Sequence, residues 1–527
     1  MTSVSLLIGI RLKVRLTVPL GLKNGQIFQT LECKMTEKIN ELYQRGLELA
    51  ESGKLQEALE NIRKYLTIAP DDAQALNDTG AILHCLGRSD EALEHLYRAK
   101  RLNHQSPEIT WNLAEACIAA GKAGQTVELF DDMERMQILN FDILNRTAKA
   151  FADNADRGGA IEMLLRSLKI APNQEMLEPM LETIRKTRPK IAFFCGADGM
   201  NFLNEIIDFT KQRFPVKVFD GNSEEQMFQL MNWSDISWFE WCTNLAAIGS
   251  RMPKVCKNIV RLHRYEAYEE WPRKINWENI DTLITVGNNI TKDTLFNKVP
   301  NLRNMTRIVD IPNGIDLDKF PFAQRKKGKN IAFLANLRMV KNPALVLQCM
   351  QKLNYLDRDY RLFFAGNFQD EVLEQYLRHM VNTLNLRDVV FFDGWQNDVC
   401  KWLEDKHYIV STSLCEGHPV GILEAMARGL KPVIHNFLGA EQTFPKEYLF
   451  NISEQFCQQI LSSDYEPMKY RSFVEQNCSL RKQLAQVKDV FAGFEADFVP
   501  QSGWDNDNAE FSRGFNSSVP VGKNIVL

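Results

Sequence analysis

The chain has 527 residues, too many for one hydrophobic core, and at roughly 150 residues per domain it divides into three or four. Its 45% hydrophobic and 25% charged content is that of a globular protein, and a net charge of −4 lacks the basic balance of a nucleic-acid binder. Eleven cysteines without a C-x-x-C pair argue against a disulfide framework and against a structural zinc cluster, so a reducing, cytoplasmic setting is expected.

Residues 1–35 read as a poorly ordered extension or an upstream start. The apolar run in "SLLIGIRLKVRLTV" is broken by Arg11, Lys13 and Arg15 before it forms a signal-peptide core, which leaves a cleavable targeting segment as the alternative. No stretch of about 20 apolar residues follows anywhere, so no membrane span is expected. From residue 36 a period of 34 begins: Gly46 and Gly80 keep it, as do Gly53, Gly87 and Gly121, and Ala58, Ala92 and Ala160 with Thr126 at the missing place. This is the period of a tetratricopeptide array, helix–turn–helix units with glycine in the turn and small residues where helices approach. About four units are expected over 36–187. Their first helices would line a concave face for a peptide or protein, with Asn77, Asn112 and Asn145 on it; the alternative is an array that only caps or dimerises the rest.

From residue 188 short apolar runs alternate with helical stretches: "KIAFFCGAD", "VKVFD", "DISWFEWC", "NIVRLH" and "DTLITVG". A basic joint, "PFAQRKKGK", is followed by a second series, "NIAFLA", "YRLFFAG", "VVFFDG", "HYIVSTS" and "KPVIHN". Such alternation predicts two doubly wound parallel sheets, at 188–322 and 323–495, facing a cleft. Ligands of these sheets bind beyond the carboxyl ends of strands, so the loops there carry the chemistry. The polar tail 496–527 is assigned no function.

The stretch "SLCEGHPVGILEAMARGLKPVIHN" lies in such a loop and holds Glu416 and Glu424 eight positions apart. By chance alone a chain of this composition has about eight or nine acid pairs at that spacing, so context must decide. "HYIVSTS" reads as a strand, Leu414 to His418 as its exit and Pro419 to Arg428 as a helix with Gly429 at its C-cap. Between the two acids, Gly417 and the first free N–H groups of the helix would seat an anion.

In full, "EGHPVGILEAMARGLKPVI" resembles the signature of the family 4 glycosyltransferases, retaining enzymes of GT-B fold that use nucleotide-activated sugars. "IPNGIDLDKF" (311–320) is similar to the family's N-G-[IV]-D-x-x-x-F segment, and "FLANLRMVKNPALVLQ" (333–348) to its G-R-L-x-x-x-K-G loop, with Lys341 in the lysine position. The family's arginine falls on Asn336 and its glycine on Ala335; Arg338, two residues on, is the nearest substitute. The resemblance covers about residues 190 to 480.

With the tetratricopeptide solenoid read from the period, the expected chain is α plus α/β; the resemblance implies that the solenoid is followed by a GT-B pair of Rossmann-like domains, acting as a hexosyltransferase. It implies Glu416 beside the donor sugar, Lys341 and Arg338 on the diphosphate, Gly417, His418, Pro419 and Val420 around it, and Glu424 on the ribose hydroxyls. In the first domain His263, at a strand end, would meet the sugar hydroxyls, with the Gly196 to Gly199 loop brought in by closure. "DLD" at 316–318 fits a metal-binding string, but its setting favours a structural role, so no metal and no cofactor beyond the nucleotide sugar are expected. The acceptor stays open among a protein, a glycan, a lipid-linked chain and a small metabolite. The seven Lys and Arg of 251–274 suit a phosphorylated acceptor or peripheral membrane contact, but their interleaving with Glu266, Glu269 and Glu270 favours a solvated face. The layout also resembles that of the protein O-linked N-acetylglucosamine transferases, an inverting family without this signature. The competing reading of the whole is a non-catalytic scaffold with a degenerate transferase domain.

Overall fold

The computed structural model describes residues 40–196 and 199–498. The predicted extension and polar tail therefore lie outside the described residues, apart from the end of the last helix. The chain divides into two compact units, one reaching Pro179 and the other beginning at Met180.

The first unit is helical. Helices 40–51, Leu55–Leu66, Ala73–Cys85, Ser89–Leu102, Pro107–Ala119, Thr126–Arg135, Phe141–Asp153 and Arg157–Ile170 follow one another through short turns. The period of 34 has two physical causes. Gly53, Gly87 and Gly121 turn the chain at φ of +79°, +76° and +70°, and Ala155 takes the same place at +57° without glycine's freedom. Gly46 and Gly80 sit where a Cβ would come within 2.5 Å of Ile62 and 2.4 Å of Leu96, so each first helix lies close against its second.

Asn77, Asn112 and Asn145 do not line an open face. All three are buried. Asn112 Nδ2 donates to Asn77 Oδ1 at 3.1 Å, Asn77 Nδ2 to Glu108 at 2.9 Å and Asn145 Nδ2 to Gln174 at 2.8 Å. One-residue-per-period placement put them on one helix face, but the neighbouring helices cover that face, and the amides join successive units instead.

The second unit holds two parallel six-stranded sheets. The first runs β2-β1-β3-β4-β5-β6, from β1 Ile191–Cys195, β2 Val216–Val218, β3 Ile236–Glu240, β4 Lys257–Leu262, β5 Thr282–Thr285 and β6 Arg307–Asp310. The second runs β12-β11-β10-β7-β8-β9, from β7 Asn330–Leu334, β8 Arg361–Ala365, β9 Val390–Gly394, β10 Tyr408–Ser411, β11 Lys431–His435 and β12 Leu449–Phe450. Among these, β6 and β12 carry no long apolar run and escape a reading of hydrophobicity alone. The paired sheets fit a two-domain GT-B layout. Each starts at an interior strand and winds outward both ways, which opens a crevice between β1 and β3 and between β7 and β10 at their carboxyl ends.

The domain boundary differs from the predicted one. The last described helix, Leu480–Phe498, brings Val487, Val490 and Phe491 into the core of the first sheet, beside Phe193 and Trp238, rather than ending the second domain at 495. The chain thus crosses twice between domains, and the crossings lie side by side: Ile315 N–H donates to Cys478 O at 2.7 Å and Leu480 N–H to Ile315 O at 2.9 Å. Gly314 is needed there, because a Cβ would stand 2.4 Å from Leu480 Cα. The basic joint is also fastened: Arg325 donates to the carbonyls of Glu404, Lys406 and Arg428, and Lys327 to those of Leu461 and Ser462.

Candidate active site

The two sheets of the second unit enclose a cavity of about 370 Å³ at their carboxyl ends. Its second-domain wall is built by the exits of β7 and β10, the strands that flank the crevice. After β7 the chain runs through Ala335 to Arg338 and makes a tight turn at Met339–Lys341. It then reverses at Asn342, φ +46°, before Pro343 starts the helix to Leu356. Thr412 Oγ1 donates to the carbonyls of Lys341 and Asn342, and Leu414 N–H to Val340 O, so the lysine turn is tied to the β10 exit.

That tie brings Lys341 Nζ onto Glu416 Oε1, which also accepts from Ser413 Oγ at 2.6 Å. Glu416 is buried. Arg338, exposed to solvent, lines the same cavity, together with Gly417, His418, Pro419 and Val420. Asn336, at the family's arginine position, also lines the cavity, and its Oδ1 accepts from Asn367 N–H at 3.1 Å.

The helix within the signature spans Val420–Ala427 with Pro419 as its cap. Its first turn is less open than the sequence suggests: the amides of Val420, Ile422 and Leu423 turn back on the carbonyls of His418 and Pro419. Burial pushes His418 down to about 4, with the charges of Arg261 and His263 adding to it, so its ring is neutral above pH 5. Glu424 is not among the cavity's lining residues; burial lifts it to about 7 against the pull of Lys319. Its place on the second turn of the helix separates it from Glu416 along the loop.

The opposite wall comes from the first sheet. His263, just past β4, lines the cavity with Phe202, Trp241, Arg264 and Tyr265. Three neighbours orient it. Its Nε2 meets Glu240 Oε1 at 2.8 Å, its ring lies 4.1 Å from that of Trp241, and Phe202 stands at 5.4 Å. Trp241 has φ +70°, a strained backbone for so bulky a residue. Glu240 is fully enclosed. Burial alone would raise its pKa, but Arg261, His263 and the Trp238 indole N–H hold it below the ordinary carboxylate range. Arg261 in turn reaches Asn313 of the "IPNGID" segment and the Phe202 carbonyl.

Gly196 and Gly199 do not line the cavity. Gly199, at φ +93°, lies behind its wall, where its carbonyl accepts from the Trp241 indole at 3.0 Å. In the "DLD" string Asp316 accepts the amides of Asp318 and Lys319, closing a turn. The basic segment 251–274 is largely spoken for: Lys254 and Lys257 reach Asp281, Arg273 reaches Glu270, and Arg261 is buried. Among the described residues no helix is long and apolar enough to cross a membrane.

Glu240, Arg261, Trp241, Ser413 and Arg264 escape sequence reasoning. The available signal is chemical: an acid closing a buried strand and an arginine inside the next one are both costly unless paired.

With this geometry in view, the chain matches a known family over its second α/β domain. The model of the glycosyl transferases of group 1 matches residues 315–450, from the first interdomain crossing to the end of β12. An Escherichia coli UDP-Gal:alpha-D-GlcNAc-diphosphoundecaprenol alpha-1,3-galactosyltransferase is 29% identical over 147 residues, which are 25% of this chain and 38% of that enzyme. A Xanthomonas campestris GDP-mannose:cellobiosyl-diphosphopolyprenol alpha-mannosyltransferase is 26% identical over 132 residues, 24% of this chain and 34% of that one. The matched stretch is thus well under half of either relative. The crystal structure of Anabaena HepE in complex with UDP aligns with 58% of this chain and all of that one, at 13% identity and a TM-score of 0.47, and adds nothing to the topology already described.

Proposed function

We propose that the protein is a glycosyltransferase that moves a hexose from a nucleotide-sugar donor to an acceptor, with retention of anomeric configuration and without a metal. The observation that carries this is the Lys341–Glu416 pair, set on the donor-side wall of the cavity with His263 on the wall opposite.

The chemistry follows from where charge develops. Breaking the bond from the anomeric carbon to the diphosphate puts negative charge on the leaving oxygen. Lys341, held by Glu416, and the exposed Arg338 supply cations for it, and a preorganised donor of the first kind is worth about 3 kcal/mol in the transition state. Glu416 accepts from both Lys341 and Ser413, so an entering phosphate takes up the ammonium while the carboxylate, still held by Ser413, turns to the sugar and its oxocarbenium-like centre. Glu424 would accept from the ribose hydroxyls. His263, fixed by Glu240, would meet the sugar hydroxyls from the first domain.

The helical unit, read as a tetratricopeptide array, would deliver a protein acceptor or partner. Lipid-linked acceptors, the kind named for both relatives above, are the second reading. Consumption of UDP- and GDP-sugars by the full chain, compared with Lys341→Ala, tests the proposal. Turnover of one donor that the substitution removes supports it. If no donor is bound or consumed and Lys341→Ala changes nothing, the scaffold reading replaces it. Loss of macromolecular transfer but not of donor hydrolysis on removing the helical unit would mark that unit as the recruiter; equal transfer would refute recruitment.

A further inference from the structure

The loop after β5, on the first domain, reaches across to the β10 exit, which builds part of the donor-side wall, and to the β11 exit beside it. Asn288 Nδ2 donates to the carbonyl of Glu416 at 3.2 Å and to that of Leu438 at 3.3 Å. A side-chain amide has two N–H donors, and here each finds one carbonyl, one on the β10 exit and one on the β11 exit. The two exits are themselves joined, with Leu438 N–H donating to Leu414 O at 3.4 Å. The next residue adds a backbone link, Asn289 N–H to Gln442 Oε1 at 3.0 Å. The opposing chain is shaped for this contact: Gly439 has φ +89°, and a Cβ on it would stand 2.4 Å from Asn288 Nδ2.

We propose that Asn288 is a positioning residue for the donor site, a catch that holds the Glu416 loop through its backbone when the two α/β domains are together. This rests on the transferase reading for its kinetic consequence, but not for the contact itself. The carbonyl that Asn288 grips belongs to the residue whose carboxylate meets Lys341, so slippage of the catch moves that carboxylate along the cavity wall. Misplacement of a reacting group by about 1 Å costs on the order of 100-fold.

Asn288 has a second task that the test must separate. Its Oδ1 caps the helix Asn289–Lys298 by accepting from Thr291 N–H at 3.1 Å. Aspartate caps a helix equally well but cannot donate to a carbonyl. Asn288→Asp therefore keeps the cap and removes the catch, and Asn288→Ala removes both.

In the full-length protein, hydrogen–deuterium exchange of Asn288→Asp is expected to rise in residues 413–418 and 437–442 while the helix 289–298 stays protected. In donor turnover the same variant is expected to lose about 10- to 100-fold in kcat with KM for the donor changed less than about threefold. Unchanged exchange in both loops would overturn the catch whether or not the protein turns over a sugar nucleotide. Raised exchange with unaltered kcat would show a contact without a positioning role and overturn the proposal in that form. Absence of turnover in the wild type would count against the transferase reading alone, with the exchange result still deciding the catch.

Discussion

Glu240 and His263 meet at 2.8 Å on the first-domain wall of the cavity, and the same carboxylate oxygen accepts from Arg261 Nη1 at 2.9 Å. One fully buried acid therefore orients an imidazole and neutralises a buried guanidinium. Glu240→Gln leaves Arg261 enclosed without its counter-charge, which should cost about 3 kcal/mol in urea unfolding at pH 7. The depressed pKa sets the pH dependence: Glu240 contributes stability that is present above the unfolded value of about 4.5 and is lost as pH falls through the lower folded value. The gap between wild type and variant should therefore close only in acid below about pH 4.5. A gap that closes near neutrality would show that another group dominates.

Lys341→Ala removes the cation that pairs with Glu416. Donor turnover should fall by at least about 100-fold, the worth of one preorganised donor. On the proposed function Glu416→Gln should also lose turnover but retain nucleoside diphosphate binding, because Lys341 and Arg338, the cations proposed for the diphosphate, stay in place. Calorimetric titration with UDP and GDP separates them: similar nucleotide affinity in both variants would deny Lys341 its place on the diphosphate.

The donor-side loop is legible in the sequence because one continuous string carries the strand, the glycine exit, both acids and the helix. Lys341 is legible for the same reason, as part of a local segment. Glu240 and Asn288 are not, because each acts on a residue distant in the chain and neither stands in a spacing pattern. Hydrophobic alternation reveals ten of the strands, but β6 and β12 are short and mixed in polarity. The last helix, Leu480–Phe498, escapes it as well, and even a helical pattern there would not say which sheet it covers, since an amphipathic face carries no address. Asn77, Asn112 and Asn145 show the converse: their common phase is real, but phase does not distinguish an open groove from a covered seam.

That seam makes its own prediction. Asn112 is buried and donates to Asn77, so Asn112→Ala removes a hydrogen bond between successive units and leaves the Asn77 carbonyl enclosed without that donor. Unfolding of the helical unit should be easier by about 1–3 kcal/mol. Donor consumption should stay at the wild-type rate, because Asn112 lies in the other compact unit. A drop in turnover at temperatures where the helical unit is still folded would contradict this division.

Glu424 offers a test by pH with the sign opposite to that of Glu240. Burial lifts it to about 7, above its unfolded value near 4.5, so the native state keeps a proton that the unfolded chain releases between those values. Native stability is therefore lost as pH rises through that window, and the cost is complete above pH 7. Glu424→Gln, which never ionises, should be more stable than wild type by about 3 kcal/mol at pH 8 and about equal to it at pH 4.5. His418 runs the other way: held down to about 4, it costs stability as pH falls from 6.5 toward 4, and this is common to wild type and Glu424→Gln, so it cancels from their difference. Urea midpoints at the two pH values read that difference directly. An advantage of equal size at both would mean that the glutamine acts through packing and that Glu424 ionises normally in the folded protein.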